Sequence, residues 1–239
     1  MIRLLRHVLL LSGLFVLFSH TVASAAENQS RVLFLGTEHV SSAKMRTIQS
    51  LAEQIGVSVA FQRQADLPKD TRVGDIVGSA ELLVLDSVNS NEALLKFGQY
   101  APELKTLSNR LRIVAIRAPQ EEGLRFGVSE SQAKRLHDYY WNGGSENLRR
   151  MVAFISQNIL GAKGATVAPP IIYPELGVYH PDYSQRVFGD IETYLEWQGA
   201  RGLDRTRPVI GIAIHHATLS GELTGVTDAM IRELESQGA

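Results

Sequence analysis

The densest group of metal-ligating and proton-handling side chains in this 239-residue sequence is His215, His216, Ser220 and Glu222. Two neutral imidazoles suit Co, Fe or Zn, and with the Glu222 carboxylate they could supply a three-ligand site. Adjacent histidines on an extended segment point to opposite faces, so His215 and His216 could hold one ion only where the backbone turns. The same three residues suit contact with a metal-bearing ring, since imidazole serves as an axial ligand to such metals. The competing reading packs one histidine on a sheet and leaves the other solvated. A second group, Thr37-Glu38-His39, could form an acid/base pair, although a polar loop entering a helix has the same composition. Asp86 and Arg117 close two apolar runs and read as capping or surface residues. The sequence holds no Ser-His-Asp order, no H-E-x-x-H motif and no close carboxylate pair. Gly36 lacks the companion glycines of a dinucleotide-binding turn, and no P-loop pattern occurs. No cofactor is implied by a recognisable motif, and the chain by itself does not read as a complete enzyme.

These residues must be positioned by strands and helices in alternation. Val32–Leu35, 57–61, Leu82–Leu85 and Ile113–Ile116 are short apolar runs of the kind that form strands covered on both faces. Between the first two lies a helical pattern with Met45, Ile48, Leu51, Ala52 and Ile55 on one face, capped by Ser41 or Ser42 and stopped by Gly56. Further helices are expected near 73–79, 91–99, 129–139 and 145–160. The pattern predicts an α/β fold with an open, mostly parallel, doubly wound sheet. In such sheets ligands bind beyond the carboxyl ends of the strands, which is the rule that nominates the loops holding His39, Asp86, Arg117 and His215. Residues 161–182 carry Pro169, Pro170, Pro174 and Pro181 and read as an extended linker. Beyond it, Val187, Ile191, Tyr194 and Leu195 suggest a helix entered at Pro181 and capped by Asp182 or Ser184. Pro208 then leads into an expected strand over 209–214, and Val226, Met230, Ile231 and Leu234 line a last helix. The expected division is a leader over 1–26, an α/β domain over 27–160, the linker over 161–182 and the start of a second α/β domain over 183–239. A lone strand and helix cannot close a sheet, so the second domain is expected to be truncated.

Composition narrows the function classes. The chain is 44% hydrophobic and 21% charged, with a formal net charge of −1, so nothing favours a nucleic acid or an anionic membrane as partner. Cysteine is absent, which excludes disulfides, thiolate metal sites, a cysteine nucleophile and a lipid-anchored cysteine. Arg3, Arg6 and His7 precede an apolar run from Val8 to Phe18, followed by Ala23-Ser24-Ala25. This is the order of a secretory signal peptide. Cleavage would remove both arginines and no acid, leaving 22 basic against 25 acidic residues. The expected location is a bacterial periplasm, with an inner-membrane anchor as the alternative if the leader is retained.

Three segments follow one another in the second half of the chain: Tyr140-Trp141-Asn142-Gly143-Gly144-Ser145-Glu146-Asn147-Leu148, then Gly177-Val178-Tyr179-His180-Pro181-Asp182, then 209–212 running into Gly225-Val226-Thr227-Asp228. Their order and wording resemble the N-terminal region of the large, porphyrinoid-binding subunit of cobalt and magnesium chelatases, the CobN / magnesium chelatase H family. The resemblance implies a role in holding a tetrapyrrole, corrin or porphyrin, while cobalt or another divalent metal is inserted or removed. Ring and metal are then substrates, and chelatase-type subunits are the implied partners. Members of that family are several-fold longer, and their metal-insertion chemistry is assigned mostly to regions beyond this chain's end. They commonly carry an aromatic-Arg-Ser pattern where this chain has His215-His216-Ala217. The alternatives are an exported, non-enzymatic tetrapyrrole or metal carrier, and an interaction module without a ligand. Taken from the residues alone, Trp141, Gly143 and Gly144 form a turn with Ser145 capping the next helix, and His180-Pro181-Asp182 docks the linker rather than touching a ligand.

Overall fold

The computed structural model describes residues 31–202, 206 and 209–238. The leader expected over 1–26 lies outside the described residues, as does Pro208. The first unit runs β1 (Val32–Gly36), α1 (Ser42–Glu53), β2 (Val59–Arg63), α2 (Val73–Ile76), β3 (Leu82–Asp86), α3 (Ser90–Phe97), α4 (Ala101–Leu107), β4 (Arg112–Ala115), β5 (Arg125–Phe126), α5 (Glu130–Asn142) and α6 (Gly144–Phe154). Its sheet has the order β2-β1-β3-β4-β5. The first four strands are parallel, and β5 adds an antiparallel edge. This is the expected mostly parallel α/β sheet, and its order reverses between β1 and β3.

Apolar alternation explains the two layers. Every residue of β1 and β3 is buried, so each strand must be covered on both faces. Val32, Phe34, Leu82 and Val84 pack with Met45 and Ile48 of α1, Leu136 of α5 and Met151 of α6. Leu33, Leu35, Leu83 and Leu85 pack instead with Val73 of α2, Phe97 of α3 and Leu104 of α4. Caps fix where the helices start. Ser41 accepts from the Lys44 amide, Asn89 accepts from the Glu92 amide, and Ser129 forms a capping box with Gln132. Each such cap stabilises its helix by about 1 kcal/mol.

Several boundaries differ from expectation. Strand β2 begins two residues late, because Val57 turns its side chain into the core (3% exposed) and its amide bonds back to Ala52. Helix α2 stops at Ile76, as Gly78 takes a φ of +47°. Helix α4 buries Leu104 alone and β5 is two residues long, so neither leaves a periodic signal.

Beyond α6 the chain makes a π-helical turn over Ile155–Ile159. The expected linker is pinned to the helices rather than free. Asn147 grips Ile171 through both its amide and its carbonyl at 2.8 and 2.9 Å, and Asn142 accepts from the Tyr173 amide at 2.8 Å. Then come β6 (Val178–Tyr179), β7 (Val187–Phe188), α7 (Ile191–Ala200), α8 (His216–Ser220) and α9 (Gly225–Ser236). β6 and β7 pair as an antiparallel ribbon. Val187 therefore belongs to a strand, not to the expected helix, and the cap of α7 is Asp190 rather than Asp182 or Ser184. Residues 209–214 form no strand among the described residues. A strand requires a ladder partner, and here Val209 and Ile210 stand 87% and 53% exposed.

Candidate functional site

The parallel strands deliver their carboxyl ends to a cavity of about 390 Å³, lined by His39, Lys44, Asp86, Arg117, Trp141, His215 and His216 among others. It sits at the switch point between β1 and β3, where a doubly wound sheet opens a crevice. The β1 loop supplies His39 and the first turn of α1 supplies Lys44. Asp86 closes β3, and Arg117 follows β4. The end of α5 brings Tyr140 and Trp141, and α8 lies across the mouth.

The floor is polar and buried. Asp86 is 0% exposed, Lys44 2% and Tyr140 2%. The Tyr140 hydroxyl donates to Asp86 Oδ2, while Asp86 Oδ1 has no partner among the described residues. Lys44 Nζ donates to the Tyr140 carbonyl at 2.7 Å and lies 3.7 Å from the centre of the same ring. The Arg117 guanidinium lies 4.8 Å from the Tyr140 ring and 5.0 Å from the Trp141 ring. Its Nε and Nη1 are out of contact with water and unpartnered among the described residues.

Burial governs the titrations. It lowers Lys44 to about 7, with the Arg117 charge acting in the same direction. It raises Asp86, against the opposing pull of Arg117, the Tyr140 hydroxyl and Lys44, and it raises Tyr140 well above its ordinary value. Buried ionised groups are costly unless paired, so this cluster holds charge that the fold itself does not neutralise pair by pair.

The rim is aromatic. His137, Trp141 and His216 form a stack, with ring centres 5.9 and 5.3 Å apart and planes within 15° and 22°. Burial and the charges of Lys44 and Arg117 hold the His216 imidazole below its usual value, so it is neutral near pH 7. His215 caps α8, its Nδ1 accepting from the Ala217 amide at 3.0 Å. An Nδ1 that accepts leaves Nε2 as the nitrogen facing outward. Glu222 does not line the cavity. It has a φ of +58°, reaches Arg186 at 3.5 Å and accepts from Ser145 at 3.4 Å. The structure thus brings His215 and His216 to one mouth and holds Glu222 outside it. Glu38, His39 and Glu92 come within 4.8 Å of one another, but Glu38 is engaged by Lys96 at 3.0 Å and His39 by Glu92 at 2.9 Å.

Asp86 is not a capping or surface residue, and Arg117 is half-buried against the Tyr140 and Trp141 rings. Asp86 is fully buried because α5 covers the strand end with Tyr140. Lys44 has no signal of its own in the sequence, and Tyr140 enters only as the first residue of a family-like segment. Lys44 reads as a solvated helix cation until α5, remote in sequence, is folded over it. The paired glycines of the Trp141–Leu148 segment also acquire a reason. Gly143 (φ +64°) and Gly144 (φ +77°) turn α5 straight into α6, and a Cβ on Gly143 would stand 2.5 Å from Ser220 Cα. Helix α8 therefore packs directly on the Gly143 backbone. Gly143, not Ser145, is the N-cap of α6. The Tyr179–Asp182 segment docks onto α9: Tyr179 donates to Asp228 at 2.7 Å, His180 Nε2 meets Glu235 at 2.9 Å and Asp182 pairs with Arg232 at 3.0 Å.

Comparison with known proteins falls on these same segments. Residues 137–239 match the CobN/Magnesium Chelatase family. The chain is 35% identical over 105 residues to the magnesium-chelatase H subunit of Rhodobacter capsulatus, covering 41% of this chain and 8% of that protein. It is 24% identical over 225 residues to the magnesium-chelatase H subunit of Cereibacter sphaeroides, covering 87% of this chain and 17% of that protein. The chain thus spans less than a fifth of the length of these curated relatives. No solved structure matches. From residue 137, within α5, through α9, the chain is similar to a segment of the CobN/magnesium chelatase family.

Proposed function

We propose that this chain engages a tetrapyrrole during insertion or removal of its metal, and that the strand-end cavity is where the ring is met. The observation that carries the reading is a shared site. The family-matching segment contributes Trp141, His215 and His216 to a cavity whose floor is built by Lys44, Asp86 and Arg117 of the preceding α/β layers. A flat ring can lie against the Trp141–His216 stack, and offset stacking contributes about 0.5–1.5 kcal/mol beyond the area buried. The neutral His216 imidazole suits the axial position of a ring-bound metal ion, and His215 can donate to a ring substituent. At about 390 Å³ the cavity lies near the lower end of the range for small-molecule pockets. It fits an edge of a macrocycle and its substituents, so the rest of the ring would lie across the mouth.

Cobalt or another divalent ion and the ring are substrates in this reading, and chelatase-type subunits are the natural partners. The leader-like N-terminus motivates a further part of it: the chain is exported, and acts on the ring without a nucleotide-driven partner. The test is a titration of protoporphyrin, its cobalt complex and cobalamin into the protein, followed by ring absorbance, with Trp141→Ala and the His215→Ala/His216→Ala double variant alongside. Binding by the wild type and at least about tenfold weaker binding by both variants is the expected result, a loss of about 1.4 kcal/mol. Equal binding by all three removes the site, and no binding by any leaves an interaction module as the better reading.

A further inference from the structure

The floor of the cavity contains an arginine without an anion. Among the described residues, Arg117 Nε and Nη1 are shielded from water and unpartnered, and no carboxylate forms an ion pair with this guanidinium. Its planar face is fixed against the Tyr140 and Trp141 rings, at 4.8 and 5.0 Å. Asp86 is the acid of the same floor and feels the charge of Arg117, but no hydrogen bond or ion pair joins the two among the described residues. The arginine rests on the phenol ring, and the phenol hydroxyl binds Asp86 Oδ2. Asp86 Oδ1 is likewise buried and unpartnered. Lys44 Nζ adds a second cation, held by the Tyr140 carbonyl at 2.7 Å and by the Tyr140 ring.

Charge counting decides what is missing. Burial lowers Lys44 to about 7, so it can take up a proton as an anion arrives. Arg117 and protonated Lys44 then carry two positive charges against the single negative charge of ionised Asp86. A buried cluster of this kind is stabilised when its net charge falls to zero and its free N–H groups find acceptors. One monoanion meets both conditions. A dianion would overshoot neutrality and face Asp86 at close range. Arg is also the side chain best matched to the planar geometry of a carboxylate.

We infer that Arg117, supported by Lys44, is a seat for a single carboxylate, and that its occupant is a carboxylate-bearing side arm of the ring substrate. The inference rests on the reading that a tetrapyrrole is met here. It adds an orientation: the ring enters acid edge first, its arm reaching the floor and its face lying against Trp141 and His216. Lys44 is a positioning residue, because it adjusts the charge of the floor while the anion is held by Arg117.

The seat can be tested without any ring. In ¹⁵N-labelled full-length protein, the Arg117 Nε–H resonance is assigned by its disappearance in Arg117→Gln. Propionate is then titrated, with propionamide and inorganic phosphate as the uncharged and multiply charged controls. The seat predicts a saturable shift of this resonance with propionate, none with propionamide, and binding of phosphate at least about tenfold weaker. Lys44→Met should weaken propionate binding severalfold while leaving the resonance visible. An absent propionate shift overturns the inference, as does an equal response to propionamide or tighter binding of phosphate. A second arm compares a free-acid porphyrin with its methyl ester. Tighter binding of the acid, with the advantage lost in Arg117→Gln, supports the orientation, and equal binding of acid and ester refutes it. A saturable propionate shift with no porphyrin binding would instead sink the tetrapyrrole reading and the named occupant while leaving the carboxylate seat in place.

Discussion

At position 143 a single methyl group would collide with the helix that lines the cavity mouth. Gly143 holds a backbone conformation that only glycine adopts readily, and a Cβ there would meet Ser220 Cα at 2.5 Å. Gly143→Ala should therefore displace α8 and cost on the order of 1–3 kcal/mol, read as a lower denaturation midpoint together with faster amide exchange over 215–222. An unchanged midpoint would mean that α8 does not rest on this backbone. Lys44 gives a second prediction. Its ordinary value is 10.5 and its folded value about 7, so between these the unfolded chain keeps a proton that the folded chain has lost. Stability contributed at this site must rise with pH across that window. The difference in unfolding free energy, wild type minus Lys44→Met, should increase from about pH 7 to about pH 10, by on the order of a few kcal/mol at most. A flat difference would contradict the buried placement. The strand-end rule nominates the loop of His215 and His216 from an expected strand over 209–214 that does not form, and Asp86 and Arg117, at the ends of true strands, read from sequence alone as capping or surface residues. It could not reveal that Asp86 is sealed by Tyr140, because that contact joins residues 54 apart in the chain. Nor could it foresee that Glu222 turns toward Arg186 through a positive φ.

The elements differ in what holds them. α1 buries Lys44, Met45, Ile48 and Ala52, whereas α9 buries Thr227 alone. The fastening of α9 is polar, through Tyr179–Asp228, His180–Glu235 and Asp182–Arg232. Few buried apolar contacts mean a low free energy of local opening. Amides of α9 should exchange at least about a hundredfold faster than those of β1 and β3 in native-state hydrogen exchange, and equal protection would show that α9 belongs to the main cooperative unit. Helix α9 was legible because its apolar residues keep a 3.6-residue period, although Val226 and Met230 prove to be 75% and 46% exposed. The sheet strands were legible because a run buried on both faces is apolar at every position. The segment over 209–214 has the same signature without the partner, and an apolar run carries no information about which strand will pair with it. Ribbon β6–β7 was missed for the opposite reason. Two paired residues per strand are too few to alternate.

On the scale of the whole molecule, the doubly wound sheet provides the floor of the cavity and the chelatase-like segment provides its rim. Among the described residues no helix is long and apolar enough to cross a membrane. We propose that residues 1–26 act only in export. N-terminal sequencing of protein made in a Gram-negative host should then begin at Ala26 or Glu27, whereas an intact Met1 in the cytoplasmic fraction would contradict this. Two of the three family-like segments make contacts that few other residues could make: the first sets glycines under α8 and asparagines on the linker, and the second sets a Tyr-His-Asp row against one side of α9. The central claim is that a tetrapyrrole meets the protein at the strand ends. A paramagnetic copper porphyrin added to ¹⁵N-labelled protein tests it most directly. Relaxation broadening should be confined to amides around Val40, Ser87, Trp141 and Ala217, with the amides of Trp197 and Gly56 unaffected. Uniform broadening, or broadening centred on α7, would contradict it.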